Sequence, residues 1–226
     1  VYTNSPLKFL KDGQSSFYLP GMVDNDMSNP KAVGSLDFIG LNYYSRMHVK
    51  GHLNSREPFT FANREQDVMT DMGYPVYAEG LYRALKTISI LGVPIYVTEN
   101  GLADDTDEIR PTFIKRYLYA LNRALRDRID VRGYFYWSLM DNFEWAEGYK
   151  MKFGLYDVDF ETQKLVLREG SMPFIEMVNK QGADKRGYLV DIGDMAPDFT
   201  IRYTSGKEER LHDLRGEVVV LQFTAS

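Results

Sequence analysis

The 226-residue chain is 44% hydrophobic and carries a net charge of −5, so it can bury a core, and its composition argues against a disordered chain and mildly against a nucleic-acid binder. It contains no cysteine and only three histidines, which excludes disulfides and thiol chemistry within these residues and makes a metal site an unpromising expectation. No run approaches the roughly 18 apolar residues of a membrane helix, and an opening on Val1 with no leader pattern reads as the interior of something longer.

Residues 1–34 read as irregular and polar, broken by Pro6, Pro20 and Pro30, with room for one short helix over 5–11 capped by Ser5. The run 36–44 (LDFIGLNYY) predicts a strand whose far end, at Asn42 and Tyr44, points into a site. Residues 51–75 form a long polar connection, which by length alone is expected to be functional or mobile. Leu81, Leu85, Ile88 and Leu91 repeat at helical spacing over 77–91, and Gly92 stops that helix. The β-branched run 93–98 is the next strand, ending on Glu99, Asn100 and Gly101, with an acidic loop over 103–108.

A second long helix is expected over 111–129, with Ile114, Tyr117, Leu118, Leu121 and Leu125 as its buried stripe. The run 131–139 makes a third strand ending at Trp137 and Ser138, followed at once by DNFEW. A hairpin turns around 161–163, and a closing helix runs over about 172–180. The alternation of strand and helix implies parallel strands joined by right-handed crossovers, so all strand C-termini share one side. Asn42, Tyr44, Glu99 and the segment from Trp137 to Glu144 therefore converge on one face. Three strands are too few to close a barrel or to protect their own edges.

After residue 182 the character changes. A charged linker, 182–187, leads to strand-like runs around 198–203 and 218–223, with a turn at Ser205-Gly206-Lys207. The last run reads as a fully buried strand lacking its neighbours.

Four motifs, GLNYY around residue 40, YVTENG at 96–101, GYFYWSLMDNFEW at 133–145 and FGLY at 153–156, occur in this order. Together they resemble the C-terminal half of glycoside hydrolase family 1, the retaining β-glucosidases of (β/α)8 (TIM) barrel fold, over residues 1–181. The resemblance implies an α/β fold forming the C-terminal part of such a barrel. It implies that Glu99 is the nucleophile, that Asn42 and Tyr44 orient it, and that Trp137 is the platform under the sugar. Glu144 and Trp145 would read the hydroxyls at C4 and C6, with Phe153 lining the same pocket. Because Glu144 would repel a phosphate, the implied substrate is a non-phosphorylated β-glucoside or short β-linked oligosaccharide. No cofactor and no metal are implied.

Taken singly, Trp137 and Phe153 read as ordinary core aromatics, Glu144 as a surface acid and Asn42 as a turn residue; the shared strand-end face is what unites them. The family's acid/base lies in an Asn-Glu-Pro motif, which this sequence lacks; Arg56-Glu57-Pro58 has the wrong place in the order. The chain alone is accordingly expected to turn over glycosides at background rate, and a missing N-terminal barrel half is its expected partner. A rival reading is a non-catalytic, sugar-binding half-barrel. Residues 188–226 resemble the start of a thioredoxin-fold, peroxiredoxin-like module, which raises a thiol oxidoreductase fusion as a further alternative. The hydrolase family points to the cytoplasm, and no nucleic acid or membrane partner is indicated.

Overall fold

The computed structural model describes residues 4–19, 23–52, 59–182, 199–203 and 205–214. The chain divides into two units, Val1–Val178 and Asn179–Ser226.

The first unit opens with helix α1 (Asn4–Asp12), as expected from the Pro6 signal, and strands β1 (Gln14–Leu19) and β2 (Val23–Ser28). These strands pair antiparallel, from Gln14 against Ser28 to Leu19 against Val23. The expectation of an irregular stretch is corrected here. The segment is rich in Ser, Asp and Asn, which have low intrinsic preference for strands, and the ladder of the pair prevails over that preference.

Strand β3 (Ile39–Asn42) follows, then a ribbon of β4 (His48–Gly51) and β5 (Phe59–Ala62), the second strand of which lies within what the sequence presented as a long connection. Helix α2 (Ala78–Ile88) continues into a 3-10 turn (Ser89–Leu91) and stops at Gly92, whose φ of 70° is readily adopted only by glycine. Next come β6 (Ile95–Asn100), α3 (Arg110–Arg126) and β7 (Val131–Tyr136). Strands β3, β6 and β7 form one parallel sheet in that order, with Ile39 beside Ile95 and Ile95 beside Val131. A register shift after Leu41 sets Asn42 beside Glu99.

Leu81 and Leu85 of α2, Phe113, Ile114 and Tyr117 of α3, and Ile95 and Val97 of β6 form the core. The buried stripe of α3 differs from the expected one: Ala120 and Ala124 are inside, and Leu125 is 46% exposed. Small residues suit a close helix–helix approach, and α3 packs against α2; a leucine adjacent to that line is turned outward. The helix ends earlier than 129 because Arg128 takes a φ of 62°. On the opposite face of the sheet, Phe38 and Phe135 are 57% and 58% exposed, and Phe38 meets Tyr96 edge-on at 5.6 Å.

Beyond β7, strands β8 (Tyr156–Asp159) and β9 (Lys164–Leu167) form the expected hairpin. The Asp159 carboxylate accepts the Glu161 and Thr162 amides at 2.9 and 3.2 Å, building the turn. Helix α4 (Met172–Gly182) closes the unit, packing Phe174 against Tyr134 and Tyr136. In the second unit, β10 (Thr200–Arg202) and β11 (Glu208–Arg210) pair antiparallel around Gly206, and a 3-10 turn, Leu211–Leu214, follows. The expected strand at 218–223 lies outside the described residues.

Candidate active site

Each strand of the parallel sheet delivers one part of a cluster at its C-terminal end. Glu99 stands at the end of β6, and the Tyr44 hydroxyl, two residues past β3, donates to its Oε2 at 2.9 Å. The Tyr43 amide donates to the Glu99 carbonyl at 2.9 Å, so backbone and side chain of the acid are held from the same neighbouring strand. Asn42 makes a different contact from the one its expected role would need. Its Oδ1 accepts the Thr98 hydroxyl at 2.6 Å, and the contact orients Asn42 rather than Glu99.

The other residues of the TENG motif each have a structural task. Asn100 is fully buried; its Nδ2 donates to the Tyr43 carbonyl at 2.6 Å and its Oδ1 accepts the Tyr134 hydroxyl at 2.6 Å, tying β3 to β7 across β6. At Gly101 a Cβ would run into the Trp137 carbonyl, so only glycine lets the two strand ends approach this closely. The Trp137 amide donates to the Asn100 carbonyl at 2.9 Å, and the Trp137–Ser138 peptide is cis.

From the end of β7 the chain brings Glu144 back toward Glu99. Desolvation raises the Glu144 pKa above the usual glutamate value, the nearby Trp137 side chain opposes that shift, and the charge of Glu99 adds to it. Burial, then the bond to Glu99, then the charges of Glu99 and Glu144 push the Tyr44 phenol far above its ordinary pKa, which keeps it a donor at any working pH. Tyr74 adds a smaller contribution in the same direction.

Phe153 is buried, its ring meeting that of Tyr44 edge-on at 6.3 Å. Trp145 stands apart: its side chain is 85% exposed, at the start of a 3-10 turn (Trp145–Glu147). The segment between Trp137 and Phe153 is anchored from below by Asp141, which is 3% exposed. Asp141 accepts Arg168 at 2.9 Å and the Gly154 amide at 2.8 Å, with Lys152 at 3.6 Å. Although burial opposes it, the Gly154 amide and Arg168 hold the Asp141 carboxyl below its usual range. Among the described residues, no group of His, Cys, Asp and Glu is arranged to hold a metal ion.

Chemically, the cluster offers a carboxylate oriented by a phenol, a second carboxyl of elevated pKa, and an indole near the second. That is a set suited to a polyhydroxylated ring: carboxylates take vicinal hydroxyls, and an aromatic face takes the C–H side.

Comparison with known proteins agrees with this chemistry. The sequence profile described as Glycosyl hydrolase family 1 matches residues 2–183. The chain is 37% identical over 169 residues to a β-galactosidase of Pyrococcus woesei, covering 66% of this chain and 33% of that protein. It is 35% identical over 192 residues to a 1,4-β-D-glucan glucohydrolase of Thermotoga neapolitana, covering 80% and 41%. Among solved structures, the β-glycosidase from Pyrococcus horikoshii superposes with a TM-score of 0.63 at 37% identity, over 76% of this chain and 39% of that one. The chain thus spans between a third and about two-fifths of the length of these relatives.

Proposed function

Since the chain belongs to glycosyl hydrolase family 1, and its three-stranded parallel sheet is part of that family's α/β TIM barrel, we propose that Glu99 is the nucleophile of a retaining β-glycosidase. The substrate is a terminal, non-phosphorylated β-D-glucosyl residue. The observation that carries this reading is the convergence of Tyr44, Glu99, Trp137 and Glu144 at the sheet's C-terminal edge. In a TIM barrel that edge carries the chemistry.

In this reading Glu99 attacks the anomeric carbon as the aglycone leaves, and water later cleaves the glycosyl ester. Tyr44 donates to Glu99 and holds the carboxylate in one orientation, and Asn42 belongs to the same wall. Glu144 accepts sugar hydroxyls, and its charge disfavours a phosphorylated sugar. Trp137 supplies the stacking face, Phe153 backs Tyr44, and Trp145 works beside Glu144. Retention requires a second carboxyl about 5–5.5 Å from the nucleophile to act as acid and then base. No Asn-Glu-Pro occurs in these 226 residues, so the acid/base belongs to a further segment of the barrel. The exposed Phe38 and Phe135 face, and the free outer edges of β3 and β7 among the described residues, support such a complement.

A 2-deoxy-2-fluoroglucoside with a dinitrophenolate leaving group tests the nucleophile, because that leaving group needs no acid. With the chain supplemented by the remaining barrel segments of a family relative, one glycosyl adduct is expected at Glu99, and none in Glu99→Gln. An adduct on another carboxylate overturns the assignment.

For residues 188–226 we infer the opening of a thioredoxin-fold module. The motif GDMAPDF at 193–199 and the β10–β11 hairpin support it. Extension of the chain beyond Ser226 into a Trp-Cys-x-x-Cys segment is the expected finding; any other continuation refutes it.

A further inference from the structure

Arg110 occupies the first turn of α3, where a helix end carries partial positive charge and favours acids. Its side chain is fully buried, and burying a guanidinium costs several kcal/mol unless every N–H finds an acceptor. Every nitrogen does. Nε donates to Asp107 at 2.6 Å. Nη1 reaches the Tyr136 hydroxyl at 3.0 Å and the carbonyls of Phe153 and Leu102 at 3.3 and 3.4 Å. Nη2 donates to the carbonyls of Asp104 and Lys152 at 2.8 and 2.9 Å.

Among the described residues, Asp107 is the carboxylate paired with its side chain. The remaining acceptors are carbonyls of two separate connections and the Tyr136 hydroxyl at the end of β7, and each leads into the active site. Leu102 lies three residues beyond Glu99. Tyr136 immediately precedes Trp137. The Phe153 carbonyl also accepts the Ser138 amide at 3.2 Å, and the Phe153 ring backs Tyr44, the residue that bonds Glu99. A hydrophobic side chain could fill this volume, and a lysine could keep the charge. Only a planar fork with five donors can hold carbonyls on two sides at once.

We propose that Arg110 is a positioning residue, which sets Trp137 and the Phe153–Tyr44 pair around Glu99 by holding the Tyr136 hydroxyl at the end of β7 and clamping the backbone of residues 102–104 and 152–153. The proposal rests on Glu99 being the nucleophile, and its test separates the two. In a Trp145→Phe background, Trp137 is the remaining tryptophan of the two in the chain, so its emission and acrylamide quenching report local geometry without any reaction. Arg110→Lys and the milder Tyr136→Phe, which removes one acceptor, are compared with Tyr82→Phe, which removes a buried hydroxyl bonded to Asp127 at 2.6 Å. The rate of 2-fluoroglucoside labelling is measured on the same substitutions in the chain that keeps Trp145, supplemented by the remaining barrel segments.

The expected result is a shifted Trp137 emission with increased quenching in Arg110→Lys, a smaller change in Tyr136→Phe, and none in Tyr82→Phe. Labelling should slow at least about tenfold in Arg110→Lys and stay within about twofold in Tyr82→Phe. Unchanged Trp137 spectra in folded Arg110→Lys and Tyr136→Phe overturn the proposal, as do labelling losses no larger than in a Tyr82→Phe protein of equal stability. Should the parent protein fail to label, the reading of Glu99 falls with it, and the Trp137 spectra alone decide whether Arg110 positions that residue.

Discussion

Replacing Arg168 by methionine isolates the ion pair beneath the Trp137–Phe153 segment. Arg168 and Asp141 meet at 2.9 Å, with side chains 9% and 1% exposed. Removing one partner of a buried pair typically costs about 3–5 kcal/mol, because the surviving charge is left without compensation. Here Asp141 retains the Gly154 amide and Lys152 at 3.6 Å, so the lower end, about 3 kcal/mol, applies. The second pair of Arg168, with Asp157 at 2.9 Å, adds little because Asp157 is 52% exposed. At about 2–4 °C per kcal/mol for a unit of this size, the melting point should fall by about 6–12 °C. The sign of the pH dependence follows from the lowered Asp141 pKa. Its contribution is fully present above the unfolded value of about 3.9 and is lost as pH falls through the lower folded value. The gap between parent and variant should therefore be full at pH 7 and shrink below about pH 4, as read by calorimetry at both. An equal gap at both pH values would falsify the electrostatic account and leave only the packing of the arginine stem; a gap under about 1 kcal/mol at pH 7 would show that the pair is not held.

Three other substitutions probe the site and its support. Tyr44→Phe removes a hydroxyl bonded to a carboxylate, a contact that contributes about 1.5–3 kcal/mol; labelling of Glu99 should slow by about 10- to 100-fold, and parent-like kinetics refute the orienting role. Gly101→Ala drives a Cβ against the Trp137 carbonyl, which is backbone and cannot swing aside. A loss of about 3 kcal/mol or more in urea denaturation is expected, and a loss below about 1 kcal/mol means that the strand ends separate freely. Asp104→Ala deletes the carboxylate that accepts the Ile109 and Arg110 amides at 2.9 and 2.8 Å, a cap reaching the first residue of α3 from six residues upstream. It should cost about 1–2 kcal/mol by thermal denaturation, with an unchanged melting point contradicting the capping role.

The central strands and helices were legible because their signals are local: apolar β-branched runs for β6 and β7, helical spacing for α2, glycine at its end. Placing Asn42, Tyr44, Glu99 and Trp137 together needed only parallel topology. Strand β5 was hidden in a polar connection, because its pairing with β4 leaves no local periodicity in so short a segment. The inner line of α3 was displaced because Ala120 and Ala124 carry little hydrophobic signal, whereas Leu125 carries much and faces outward. Arg110 was hidden for a related reason. An arginine at a helix start reads as a solvated charge, and only the return of residues 152–153 in three dimensions turns it into a buried hub.

The β3-β6-β7 order also bears on how the protein folds. Residue 39 must find residue 95, and residue 95 must find residue 131, before the three strands are joined. The β1–β2, β4–β5 and β8–β9 pairs, by contrast, close over short loops. Loop closure across long separations is the slow part of folding. The ribbons and helices are thus favoured to form first, and the sheet last. The surroundings of Glu99, built from all three ends of that sheet, are completed in the same late step, so partly folded chains would hold much secondary structure and no assembled site.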